Sequence, residues 1–362
     1  MLASVLLTIG LGSWAHAGDL KAQLHGTTLK VTGDMGGAVA NFTGIPDGEF
    51  LPVEGFVGIA PTGGTTENGQ TATATFSGVQ TLHVFLGSGE NHIQVASFNL
   101  VGDLTLKGGR GVDLLTVVSG TLGGNLTLDG GGGAGFNLLD CENTAIGGNV
   151  TFKGPSTNET DGTFAASALG DLKVTFGPGN DNFSFGAGAQ AHSATISTGN
   201  GSDNLSFGAS TTLTGDLKIL LGGGDNTALL GGLTVDGKVT VSAGGGQDLI
   251  GTNGLTAGGD VKLLMGGGKN TLSVFFTNVD GSLSAVSGGG ADSYSLNSLM
   301  TAGNLTLKAG GGNNIFQIMG LIVGEDFTIN AGGGDDNLTL GSATAGGKTK
   351  INLGGGTNTG AP

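Results

Sequence analysis

A single-stranded parallel β-solenoid of about 22 residues per coil, all-β apart from a leader, is predicted by three observations: a glycine turn at fixed spacing, alternating apolar pairs, and a composition suited to tight corners. The turn reads G-x-G-x-[Asp/Asn] in most copies. It opens at Gly87, Gly109, Gly131, Gly154, Gly177, Gly199, Gly222, Gly244, Gly266, Gly288, Gly310, Gly332 and Gly354, so successive turns lie 22 or 23 residues apart. A unit this short cannot bury its own apolar face and must stack on its neighbours.

The composition agrees. The chain has 362 residues with 78 Gly, 17 Phe and one Trp, and 11% of it is charged, against about 25% in ordinary globular domains. Glycine does not fall at every third position and proline totals 6, which excludes collagen. Disorder is disfavoured because 37% of the residues are hydrophobic and fall in register. Lys+Arg is 13 against Asp+Glu 28, and the resulting net charge of −15 argues against nucleic acid and anionic membrane partners.

Residues 1–17 read as a secretory signal: an apolar run closing on the small-x-small end Ala15-His16-Ala17. No later apolar run is long enough to span a bilayer, so the expected location is extracellular or at the cell surface, without membrane insertion. Residues 18–86 lack the regular glycines but contain strand-like pieces such as Leu29-Lys30-Val31 and Thr73-Ala74-Thr75-Phe76, and they are expected to form a β-rich N-terminal cap. Residues 87–362 carry about thirteen coils, a rod of roughly 60 Å at about 4.8 Å per coil. The single cysteine, Cys141, excludes an intramolecular disulfide and reads as a small buried thiol.

With the first turn glycine as position one, apolar residues recur at positions seven and nine and again at eighteen and twenty, which predicts two short strands per coil. Leu205-Ser206-Phe207 and Leu338-Thr339-Leu340 exemplify the first strand, Val239-Thr240-Val241 and Leu305-Thr306-Leu307 the second. The turn at Gly154-Pro155-Ser156-Thr157-Asn158 lacks the glycine pattern and reads as a bulged corner. The ladders through Leu338, Leu340, Ile351 and Leu353 are expected to leave an open edge at the C-terminal end, a template for self-association.

Position five reads Asn91, Asp113, Gly135, Asn158, Asp181, Asp203, Asn226, Asp248, Asn270, Asp292, Asn314, Asp336 and Asn358. Together with the turn glycines, seen best in Gly199-Asn200-Gly201-Ser202-Asp203-Asn204-Leu205, it resembles the haemolysin-type calcium-binding repeats of secreted bacterial RTX proteins. That resemblance implies a parallel β-roll in which turn carbonyls and Asp carboxylates of neighbouring turns hold calcium. Asp181 and Asp203 are the adjacent Asp turns, hence the candidate calcium pair, with Asn180 and Ser202 beside them. The family has two nine-residue halves per coil, whereas here there is one such turn in 22 residues and half the carboxylates are amides. Asn and Asp also suit tight corners without any metal, and alternating them separates like charges.

The reading of function is therefore a secreted or cell-surface, non-enzymatic repeat protein with a structural or adhesive role. Calcium, surface polysaccharide or a second copy of the chain are its expected partners, and an RTX-like calcium-binding roll is the alternative. A polysaccharide-cleaving β-helix is disfavoured, because near-constant coil lengths leave little material to wall a cleft and His25, His83, His92 and His192 match no catalytic spacing. Ice binding is disfavoured as well. The outward column from Thr105 through Thr127 and Thr151 is interrupted by Lys173, Lys218, Lys262 and Lys350.

Overall fold

The structure, a computed structural model, describes residues 18–45, 52–62, 66–133, 135–155 and 159–360. Residues 1–17, the expected leader, lie outside them, as do Asn158 and the terminal Ala361-Pro362. Every element among the described residues is a strand. Parallel strands stack into a sixteen-stranded and a twenty-three-stranded sheet that wind about one core of about twelve complete coils. The count falls short of thirteen because the turn at Gly354 opens only a part coil.

The sixteen-stranded sheet holds the second apolar pair of each coil, in the register read from the repeat. Leu217–Leu220 pairs with Val239–Ala243, which pairs with Val261–Met265. The inward ladder through Leu217, Val239 and Val261 is fully buried, while Lys218, Thr240 and Lys262 face out.

The larger sheet holds the first apolar pair and, beyond it, a third short strand that the repeat does not announce. Asn204–Phe207 is followed by Thr211–Leu213, and Thr227–Gly231 by Leu233–Val235. At this corner the backbone turns through one left-handed residue: Ser97, Ser119 and Ser210 between the two strands, Asn143, Phe276 and Ser298 within the single longer strands Asn137–Ile146, Thr271–Val279 and Ser293–Thr301, and a glycine in other coils, such as Gly232. This second corner is hard to see in sequence because serine so often fills it. The glycine corner has a firmer requirement. Gly201 has φ +146°, and a Cβ there would lie 1.5 Å from the Gly179 carbonyl oxygen of the preceding coil. Only glycine fits.

At the N-terminal end, Thr28–Gly33 and Ala38–Thr43 already stack in parallel on Thr81–Phe85 and Asn91–Ala96. The antiparallel strands Asp19–His25 and Val57–Pro61 pair with their far edges, so each sheet closes there on an antiparallel partner. Aromatic rings thicken the middle of the core. Phe185 stacks on Phe207 with centroids 4.2 Å apart, and Phe183 meets Phe152 edge-on at 5.4 Å.

Candidate functional site

The polar column of the glycine corner points into the protein. Position five has the same parity as the apolar positions seven and nine, so alternation along the strand turns all three inward. Asp113, Asp181, Asn270 and Asn314 are wholly buried, and Asp203, Asn226, Asp248, Asp292 and Asp336 nearly so. That parity was readable in the repeat and is the signal that locates the column in the core.

Register corrects two members. Asp113 pairs with Asn137, and Asn137 with Thr160, so these two residues occupy the column in the third and fourth turns in place of Gly135 and Asn158. Each of those turns carries two extra residues before the strand resumes, which displaces a fixed five-residue count.

The column is a hydrogen-bond ladder between coils. The backbone amide of Asp181 donates to Asp203 Oδ1 at 2.9 Å, that of Asp203 to Asn226 Oδ1 at 3.1 Å, and that of Asn226 to Asp248 Oδ1 at 3.1 Å. The pattern continues from Asp248 to Asn270, Asp292, Asn314, Asp336 and Asn358. Asparagine adds a second bond: Nδ2 of Asn226, Asn270 and Asn314 donates to Oδ1 of the next Asp at 3.0, 3.0 and 2.8 Å. The same amide groups reach carbonyls of their own turn, such as Gly224 and Gly312. Alternation of Asn and Asp thus gives Asp248, Asp292 and Asp336 a side-chain donor in addition to the backbone one, whereas Asp181, which follows Thr160, has the backbone donor alone.

The second carboxylate oxygen is where the Asp residues differ. Thr198 donates to Asp203 Oδ2 and Ser287 to Asp292 Oδ2. Oδ2 of Asp113, Asp181, Asp248 and Asp336 is buried with no hydrogen-bond partner. Burial accordingly pushes the Asp113 carboxyl up to about 6 and the Asp181 carboxyl to about 7, the Asp203 charge adding to the shift at Asp181. Asp203 and Asp248 are raised as well, again chiefly by burial and against the pull of their hydrogen bonds.

Asp181 and Asp203 are therefore brought together in successive coils, inside the corner, each with Oδ1 already accepting a backbone amide. Asn180 and Ser202 stay on the outside, where the Ser202 amide donates to Asn180 Oδ1 at 2.9 Å. Among the described residues no group of three or more His, Cys, Asp or Glu converges as a metal cage. Cys141 is buried in the core, its thiol pushed up to about 12 by desolvation.

Charge is divided between the two sheets. From Asn182–Phe185 to Ala343–Ala345 no strand of the larger sheet carries Asp, Glu, Lys or Arg, whereas nine of the 12 lysines lie in strands of the smaller one. On the uncharged side Leu229, Phe276, Met300, Ile315, Met319 and Ile322 are exposed. Phe276 combines 68% exposure with a left-handed backbone, φ 47°, a conformation costly for a bulky residue. Beside it, Gly231 and Gly251 open a groove of about 340 Å³ between Leu229 and Phe275. No helix among the described residues is long and apolar enough to cross a membrane.

No protein-family model, curated protein or solved structure matches this chain.

Proposed function

We propose that this chain is a secreted or cell-surface, non-enzymatic solenoid with a structural and adhesive role, its uncharged face being the contact surface. The observation that supports this reading is the segregation of charge: a chain of net charge −15 keeps one long sheet face free of it and sets large apolar side chains there. A patch of that kind is an interaction surface, because water-exposed apolar area is stabilised by being covered. The stacked ladder supplies the other half of the role, a stiff rod whose length follows its coil number.

In this reading the position-five carboxylates, Asp181 and Asp203 included, serve the corner, and the likeness to RTX repeats is one of turn geometry. Calcium at that pair is the second reading, favoured by the unpartnered Oδ2 of Asp181 next to a second carboxylate.

The test combines fractionation with adhesion. The chain should be recovered from the culture medium or cell surface. Substituting Phe276→Asp and Met319→Asp together should lower its retention on intact producer cells at least tenfold, with little change in the melting midpoint. Undiminished retention would contradict the adhesive reading.

A further inference from the structure

We propose that a cleft at the glycine corner of the N-terminal half binds a carboxylate-bearing saccharide chain. The cleft, of about 710 Å³, runs along the corner from Leu86 to Pro178 and crosses five successive coils. At about 4.8 Å per coil it is roughly 20 Å long, a shape for a linear polymer rather than a small metabolite.

Its charge is opposite to that of the protein. Lys107, Asp129 and Lys153 stand in register on consecutive strands. Both ammonium groups lean on the same oxygen, Asp129 Oδ2, at 3.6 and 3.3 Å. Asp129 is nearly buried, and its other oxygen accepts the Gly131 amide at 2.9 Å. The two lysine side chains remain about half exposed, at 49% and 56%. Arg110, the only arginine in the chain, lines the same cleft. Among the residues lining this cleft, three cations stand against one carboxylate in a chain of net charge −15, with Glu90 sharing the adjoining groove with Arg110. A strand-to-strand ion pair needs one lysine, so the second lysine and the arginine are surplus to it.

Apolar and polar lining are arranged to suit a sugar acid. Pro178 is exposed and offers apolar surface to a ring face, with Phe176 and Pro155 buried beneath the cleft as its support, while the cations offer charge-assisted hydrogen bonds to carboxylate oxygens, Arg110 in a two-pronged form. The floor is bare at Gly132, where a Cβ would meet nothing within 4 Å. One charge per sugar also suits the surroundings better than nucleic acid, whose dense phosphates the overall negative field repels.

The experiment is calorimetric titration of the full mature chain with tetragalacturonate, with its neutral methyl ester, with inorganic phosphate and with a short oligothymidylate. Tetragalacturonate should bind at least tenfold more tightly than the ester and the phosphate probes. Arg110→Gln, or Lys107→Gln with Lys153→Gln, should weaken it about tenfold. Gly132→Phe, which fills the cleft without altering charge, should abolish it while the melting midpoint holds. Equal binding of acid and ester, full binding by Gly132→Phe, or a preference for phosphate or oligothymidylate would overturn the proposal. The inference rests on the chain being a surface protein that meets glycans, but its test is separate: Phe276→Asp with Met319→Asp should leave this binding unchanged.

Discussion

Two polar columns climb this solenoid with the same step and the same kind of bond, one buried and one exposed. The inner column runs through Asp181, Asp203, Asn226 and Asp248, and its backbone amides donate to the side chain of the following coil. The outer column runs through Asp103, Asn125, Asn149 and Asp171, and its amides donate to the side chain of the preceding coil at 2.7–2.9 Å. The occupants show what burial changes. Further along, the outer column admits Lys238, Ser282 and Lys348. The inner one holds Asp and Asn throughout, with Thr160 as its one exception among the described residues. In water a lost acceptor is replaced by solvent, whereas inside the corner it leaves an amide with no partner.

The largest effect should come from the inner column. Asn270→Ala removes the acceptor for the Asp248 amide and the donor to Asp292 Oδ1, and it leaves a cavity, so it should cost about 2–4 kcal/mol in denaturant unfolding. A loss below about 1 kcal/mol would mean that the corner relaxes and the ladder contributes little.

Next in size is a dependence on pH. Asp113 and Asp181, raised from 3.8 to about 6 and about 7, keep protons in the folded chain that the unfolded chain releases. Their contribution is fully present below about 3.8 and is lost as pH rises through 6 and 7. The melting midpoint should therefore fall between pH 5 and pH 8. Asp113→Asn combined with Asp181→Asn should make that profile shallower, the buried Asp140 carboxyl, also pushed up to about 6, keeping its share, and should raise the midpoint at pH 8, since an amide can donate to turn carbonyls as Asn226 does to Gly224. A midpoint that rises with pH in the parent chain would contradict the neutral-carboxyl account.

The smallest effect belongs to the outer column. Asn149→Ala removes the acceptor of the Asp171 amide at an exposed position and should change stability by less than about 0.5 kcal/mol. A loss equal to that of Asn270→Ala would erase the distinction between the columns.

The coil period and the second strand's register were legible because each rests on residue types with one structural meaning: turn glycines and alternating apolar pairs. The second corner was not, because Ser97, Ser119, Ser210 and Ser298 take a left-handed conformation that serine does not advertise. The third strand was missed with it, being as short as Gln190–Ala191 or Thr256–Ala257. For the polar column the residues were legible but their direction was not drawn from parity, and in two turns inserted residues moved the column to Asn137 and Thr160. The basic cleft escaped sequence reading because Lys107, Asp129 and Lys153 become neighbours only through stacking.

Amide hydrogen exchange, followed residue by residue with and without millimolar calcium, tests the central claim that the inner column is a structural ladder. The amides of Asp203, Asn226, Asp248 and Asn270 should exchange only through global unfolding, far more slowly than those of Asn125, Asn149 and Asp171, and calcium should not alter them. Inner amides that exchange as fast as the outer ones, or that gain protection around Asp181 and Asp203 only when calcium is added, would contradict it.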